Sequence, residues 1–122
     1  MIKKTPKSKW KNALISKNGT IQDAIKSLDA SALQIVLVVD EHGRLYGTIS
    51  DGDIRRGLLK GMKITEGVIL IINRHPLIVP KSFDIHQVSE LMILNKIQQI
   101  PVVDEKNYLL GLHQWDKLNI KV

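Results

Sequence analysis

The sequence contains no cysteine, which excludes disulfides, thiol catalysis and cysteine-based metal sites. It also lacks an apolar run of about 18 residues, the length that a membrane-spanning helix requires. Its N-terminal residues lack the apolar stretch of a secretory signal. These absences predict a cytoplasmic protein without a membrane partner. A length of 122 residues with 43% hydrophobic residues suits one compact domain or two small lobes.

Aromatic residues are scarce, and the positive charge is concentrated at one end of the chain. The net charge is +6, from 18 basic and 12 acidic residues. Residues 1–17 hold six lysines and no acidic residue, so the remaining chain is neutral. A nucleic-acid binder usually carries basic residues on its folded body, often with interleaved aromatics. Nucleic acid is therefore not the expected partner, and residues 1–17 are interpreted as a basic arm that packs through Trp10 and contains a first strand.

An internal repeat with a fixed offset of 64 residues organises the rest of the sequence. The run Val-Val-Asp-Glu at 38–41 recurs at 102–105, and Gly47 corresponds to Gly111. Further pairs in the same register are Gln34 and Gln98, Ile21 and Ile85, Ala24 and Val88, Leu28 and Met92, and Ile54 and Leu118. One register maintained without gaps across helix, strand and turn signals indicates two copies of one structural unit.

Each copy is predicted to form a short strand, a helix, a hairpin and a second helix. In the first copy Thr20 and Asp23 have the spacing of a capping box at a helix start. Apolar residues then recur with helical period at Ile21, Ala24, Ile25 and Leu28. The expected strands cover 14–15, 35–39 and 44–49, with a helix from 50 or 51 to about 60. In the second copy we expect strands at 77–79, 99–103 and 108–112 and helices at 84–95 and 114–118.

These elements predict an α/β fold of two pseudo-symmetric modules packed as an intramolecular pair. Packing is expected because a unit of about 60 residues cannot bury both faces of its sheet alone. The predicted organisation is an arm and first strand at 1–17, module 1 at 18–61, a connecting segment at 62–76 and module 2 at 77–122. Residues 65–73 are predicted to form a linking helix capped by Thr65, although the apolar run at 68–72 also has strand propensity.

The run Gly47-Thr-Ile-Ser-Asp-Gly-Asp53, which follows a buried strand and a tight turn, resembles the signature of the CBS (cystathionine-β-synthase-like) domain family. The resemblance covers nearly the whole chain. More narrowly, the chain resembles the N-terminal CBS pair of bacterial sugar-phosphate nucleotidyltransferases of the mannose-1-phosphate guanylyltransferase type. The matching stretches are Trp10-Lys11 and residues 14–16, 20–24, 33–35, 47–56 and 73–76. This resemblance implies a regulatory rather than catalytic chain, an attached nucleotidyltransferase domain and a homodimer.

The resemblance also implies an adenosine-type ligand such as AMP, ADP or ATP, or another nucleotide, in a cleft between the modules. The Asp53 carboxylate would accept hydrogen bonds from a ribose diol, and the Ser50 hydroxyl beside the helix start would hold a phosphate. Gly52 would let the backbone approach closely. Ile35 and Leu37 would form an apolar wall. The full candidate set is Ile35, Leu37, Thr48, Ile49, Ser50, Gly52, Asp53 and Arg55, with Arg56 as the alternative to Arg55 for a distal phosphate.

A structural interpretation of the same residues stays open, because Ser50 and Asp53 also have capping-box spacing. The second copy departs from the signature, with Gln114 in place of the hydroxyl and Lys117 in place of the carboxylate. A lysine cannot accept a hydrogen bond from a diol, so at most one standard site is expected. Two functions follow as hypotheses: a nucleotide-sensing regulatory pair, or a ligand-free dimerisation and assembly module. The four histidines show no metal-binding spacing, and no catalytic motif is found.

Overall fold

The computed structural model describes residues 6–118, with side chains from residue 9 onward. The chain divides into two compact units, residues 1–76 and 77–122. The strands are β1 Leu14–Ser16, β2 Ile35–Val39, β3 Leu45–Ser50, β4 Gln99–Val103 and β5 Leu109–Gln114, and the helices are α1 Ile21–Ser31, α2 Asp51–Leu59 and α3 Ile85–Asn95. Short 3-10 helices lie at Pro6–Ala13, Val68–Leu70 and Trp115–Lys117. The predicted α/β class is confirmed. Within residues 6–118, no helix has the length and apolarity needed to cross a bilayer.

The first unit is a three-stranded sheet with helices against one face. Strand β2 lies in the centre, parallel to β1 and antiparallel to β3. Because side chains alternate along a strand, Val36 and Val38 point to the same face and pack into a core. Its buried members are Ile21, Ala24, Val36, Val38, Ile49, Ile54 and Val68. The predicted cap is confirmed: Thr20 and Asp23 form a reciprocal capping box at the start of α1.

The second unit repeats the first at the predicted offset. Helix α3 starts after the cap Asp84 and is followed by the C-cap Lys96, which has a left-handed backbone (φ 56°), as the C-cap Ala32 has after α1 (φ 58°). The β4–β5 register equals the β2–β3 register residue for residue, including an irregularity between Val102 and Val103. Two predicted elements are reduced. The strand at 77–79 is a single bridge between Val79 and Val102, and the helix at 114–118 is a 3-10 turn that follows β5.

The predicted linking helix at 65–73 is wrong. Only Val68–Leu70 forms a 3-10 turn, after Gly67, and Thr65 is not its cap. The backbone of this segment instead bonds to other elements: the Ile21 N–H donates to the Glu66 carbonyl, and the Val68 N–H donates to the Gly19 carbonyl. These tertiary hydrogen bonds replace the i to i+4 bonds of a helix, and they place Val68 in the core of the first unit.

Candidate functional site

The candidate site lies where β3 ends and α2 begins. Ser50 is the N-cap of α2 and has extended backbone angles. The Asp53 N–H donates to Ser50 Oγ over 3.1 Å, and the Ser50 N–H donates to Asp53 Oδ2 over 2.8 Å. The two candidate residues therefore form a complete capping box, as the structural interpretation predicted. This bond pattern holds both side chains in fixed positions at the first turn of the helix.

Two arginines follow these residues on α2, and each is paired. Arg56 Nη2 donates to Asp53 Oδ1 over 2.9 Å. Arg55, the predicted phosphate contact, pairs with Asp51 one turn away. Both oxygens of Asp53 thus have protein partners, one from the Ser50 backbone and one from a guanidinium. The 65% side-chain exposure of Arg56 means that this second partner is held weakly, since surface ion pairs contribute about 0–1 kcal/mol.

Gly52 allows this arrangement. A Cβ atom at residue 52 would lie 3.1 Å from Arg56 Nη1, closer than carbon and nitrogen normally approach. The close approach predicted for a ligand at Gly52 is therefore made by the Arg56 guanidinium in this structure. Sequence reasoning named Arg56 only as a phosphate contact and missed its pairing with Asp53. The i to i+3 spacing of the two residues on one helix was the available signal.

The candidate residues of the sheet fall on two opposite faces. Ile35 pairs with Ser50 and Leu37 pairs with Thr48, and directly opposed residues share a face. Ile49 lies on the other face, fully buried in the helix-packed core. Strand alternation therefore turns its side chain away from Ser50, and a ligand-binding role for Ile49 stays a prediction.

The two residues predicted to form the apolar wall are buried in this structure. Leu37 has no exposed surface and Ile35 is 9% exposed. Thr48 is buried as well, and its N–H and carbonyl are both bonded to Asn73. Of the predicted set, Ser50, Gly52, Asp53, Arg55 and Arg56 thus lie together at the surface, within the first two turns of α2. A ligand could reach Leu37 only if the atoms that cover it moved.

The equivalent position of the second unit lacks both the hydroxyl and the carboxylate. Gln114 stands in the place of Ser50, and its side chain makes no cap hydrogen bond. The helix that follows has only three residues, Trp115–Lys117, and Lys117 cannot accept a hydrogen bond from a hydroxyl. Trp115 is 41% exposed, and its N–H donates to the Gln98 carbonyl. No group of three or more metal-ligating side chains occurs in the described part of the chain.

Comparison with known proteins agrees with the geometry. The CBS domain model matches residues 11–60 and 68–112. A Helicobacter pylori protein of uncharacterised function is 32% identical over 116 residues, 88% of this chain and 34% of its own length. Arabinose 5-phosphate isomerase GutQ of Salmonella typhi is 32% identical over 92 residues, 75% of this chain and 29% of the isomerase. The chain thus spans about a third of the length of these relatives.

Solved structures show the same fold. A CBS domain pair in complex with 5′-methylthioadenosine and S-adenosylmethionine superposes with a TM-score of 0.74 at 26% identity, covering 84% of each chain. The cytosolic domain of the Mg²⁺ channel MgtE in complex with ATP gives 0.71 at 27% identity, over 84% of this chain and 42% of MgtE. A CBS protein of Pyrobaculum aerophilum gives 0.78 at 19% identity, over 98% and 88%. The chain belongs to the CBS domain family and consists of two CBS domains in tandem.

Proposed function

We propose that this chain is a regulatory module that binds an adenosine-type nucleotide at Ser50 and Asp53 of its first CBS domain. The proposal depends most on one observation: the hydroxyl and the carboxylate are together at the first turn of α2, while the second domain has Gln114 and Lys117 there. The related structures at 26% and 27% identity were solved with adenosine compounds, which supports this ligand class for the chain.

Asp53 is the residue that would recognise the ribose. Its Oδ1 is held by Arg56, whose guanidinium is largely exposed. The two hydroxyls of a ribose diol could donate hydrogen bonds to Oδ1 in place of Arg56. The hydrogen bond from the Ser50 N–H to the other oxygen of Asp53 would remain. Arg56 would then be released close to the same helix turn, where its charge could pair with a phosphate. The energetic cost of release is small, because the pair is exposed to solvent.

Ser50 and the start of α2 would hold the phosphate. The first N–H groups of a helix have no acceptor within the helix, and the helix dipole favours an anion at this end. Gly52 adds no side chain between Asp51 and Asp53 in this turn. The arrangement offers charge-assisted hydrogen bonds and contains no group that the structure places for covalent chemistry, which supports binding and regulation as the role of this chain.

The experiment is a nucleotide titration of the chain by calorimetry and thermal shift, with AMP, ADP, ATP and GTP. A ligand at 100 times its Kd should raise the free energy of unfolding by about 2.7 kcal/mol. Asp53→Ala should weaken binding by about tenfold to a hundredfold, since hydrogen bonds to a charged group contribute about 1.5–3 kcal/mol.

Asp23→Ala is the matched control. Asp23 forms the same capping box with Thr20 at the start of α1, so both variants lose one cap at a cost of about 1 kcal/mol. Only Asp53→Ala should change nucleotide affinity. Equal affinities for the two variants, or the absence of any shift at millimolar nucleotide, would contradict the proposal.

The alternative is a ligand-free module that dimerises and organises a larger enzyme. It is favoured by the fact that both oxygens of Asp53 already have protein partners. Under this hypothesis Asp53→Ala costs only the helix cap, and self-association is unchanged. Light scattering at micromolar concentration would test the homodimer, which stays a prediction, and a monomer would count against it.

We further propose that the module regulates an enzyme of sugar-phosphate or nucleotide metabolism. The curated relatives include arabinose 5-phosphate isomerases and an inosine-5′-monophosphate dehydrogenase, of which this chain matches only a part. The attached nucleotidyltransferase domain predicted from the sequence stays a prediction. A reading frame that continues beyond residue 122 would decide among these enzymes by the motifs that it encodes.

A further inference from the structure

A covering segment, residues 64–73, lies along one side of the first unit. It accepts hydrogen bonds from the start of α1: the Ile21 N–H donates to the Glu66 carbonyl over 2.8 Å, and the Gln22 N–H donates to the Ile64 carbonyl over 2.9 Å. Ile21 is fully buried as a result of its packing. The segment thus caps the helix backbone and closes the adjacent core.

The same segment then pairs with the outer edge of β3. The Thr48 N–H donates to the Asn73 carbonyl over 3.0 Å, and the Asn73 N–H returns a bond to the Thr48 carbonyl over 2.9 Å. The contact is close: a Cβ atom at Gly47 would lie 2.4 Å from the Asn73 oxygen and 2.7 Å from the Ile72 side chain. Glycine is therefore required at residue 47 by the approach of another backbone.

The second unit has the same surface without a cover among the described residues. Ile85 and His86, the counterparts of Ile21 and Gln22, have no backbone acceptor within residues 6–118. Ile85 is 39% exposed where Ile21 is buried. Along the outer edge of β5, no backbone bond joins Leu112 to another segment of the described chain. No described atom lies within 4 Å of a Cβ placed at Gly111.

Three observations at separate positions therefore indicate one uncovered surface. We call it the open edge and define it by Ile85 at the start of α3 and by Leu110, Gly111 and Leu112 on β5. Leu110 is 45% exposed. Exposed strand edges with aliphatic neighbours bind extended segments by adding a strand, through backbone hydrogen bonds and side-chain contacts.

We propose that the open edge binds an extended aliphatic segment of the same polypeptide, from outside residues 6–118. The first unit supplies the model for this occupant, since its own cover belongs to the same chain and follows α2. The offset of 64 residues places the counterpart of 64–73 at positions 128–137 of a longer polypeptide. The relatives are longer than this chain, which spans about a third of their length. The inference does not depend on nucleotide binding.

The experiment measures amide exchange by NMR on the 122-residue chain, with a synthetic peptide of residues 66–74 as the probe. In the free chain the Thr48 amide should be protected and the Leu112 amide should exchange rapidly. Saturating peptide should slow exchange at Leu112 by about tenfold or more, which corresponds to about 1.4 kcal/mol. In a longer native polypeptide, Leu112 should be protected without added peptide.

Two controls make the result specific. A peptide with proline in place of Asn73 cannot donate the backbone N–H, so it should not protect Leu112. Gly111→Ala should fold normally, since no described atom is near its Cβ, but should abolish protection by blocking the close approach. Equal protection by the proline peptide, or no protection at millimolar peptide, would overturn the proposal. So would protection of Leu112 that depends on chain concentration, which would identify a second copy as the occupant.

Discussion

Gly47 and Gly111 occupy the same position of two equivalent hairpins, yet their surroundings differ. Gly47 faces the backbone of Asn73, and its strand is mostly buried. Gly111 meets no described atom within 4 Å, and most of its strand is half-buried. The backbone register is identical, so the difference arises from what packs against the hairpin. Hydrogen-bond register and turn chemistry are therefore properties of the hairpin itself, while the burial of the hairpin depends on a segment outside it.

The largest difference in stability is expected between the alanine variants of these two glycines. Gly47→Ala should lower the free energy of unfolding by about 1–3 kcal/mol, as overpacking against a fixed backbone does. Gly111→Ala should change it by less than about 0.5 kcal/mol. Urea denaturation of both variants measures the difference, and similar losses would show that the two positions are packed alike.

The next largest difference in stability should come from the residues that precede the helix after each hairpin, Ser50 and Gln114. Ser50→Ala removes a side-chain acceptor from the start of α2 and should cost about 1 kcal/mol. Gln114→Ala should cost almost nothing, because Gln114 makes no cap bond. Thermal unfolding of the two variants provides the test, and a cost at Gln114 as large as that at Ser50 would contradict the asymmetry.

The cores of the two units should differ in how their stability depends on pH. His113 occupies the place of the buried Ile49 and pairs with Ile100 on the core face of its sheet, where burial lowers its pKa below the ordinary 6.5. Because folding favours the neutral imidazole, unfolding takes up a proton, and stability should fall as the pH drops below about 6.5.

His113→Ile should remove this pH dependence and raise stability at low pH. His86→Gln, at an exposed position of α3, is the control that should retain it. Denaturation curves between pH 5 and 8 make the comparison, and a wild-type stability that is flat across this range would refute the assignment to His113.

The smallest effect should come from the two hairpin turns. Asp40 Oδ1 accepts from the His42 and Arg44 N–H groups, as Asp104 Oδ1 accepts from Lys106 and Tyr108. Among the described residues, Asp40 also forms an ion pair, with Arg44, and Asp104 does not. Arg44→Tyr, which copies Tyr108, should therefore change stability by about 0–1 kcal/mol, again measured in urea. A larger loss would mean that the two turns are not equivalent.

Local signals predicted most of the fold. The capping box of Thr20 and Asp23, the strands at 35–39 and 99–103 and the turns at Asp40 and Asp104 follow from short-range patterns, and the structure confirms them. The linking helix failed because the backbone of residues 64–68 bonds to α1 and the loop before it, which no local pattern indicates. Ile49 was placed beside Ser50 from the site motif without the alternation of the strand, which turns its side chain into the core, and its role at the site stays a prediction.

The sequence by itself determined the repeat, its offset and the chemical asymmetry between Ser50 with Asp53 and Gln114 with Lys117. These are properties of residue identity and spacing, and helix caps, strand registers and turns depend on neighbours close in the chain. Only the tertiary structure decided that Ile49 faces the core and that residues 64–73 cover one hairpin while its counterpart has no cover among the described residues. Those features depend on contacts between residues distant in sequence or on side-chain direction, and spacing alone specifies neither.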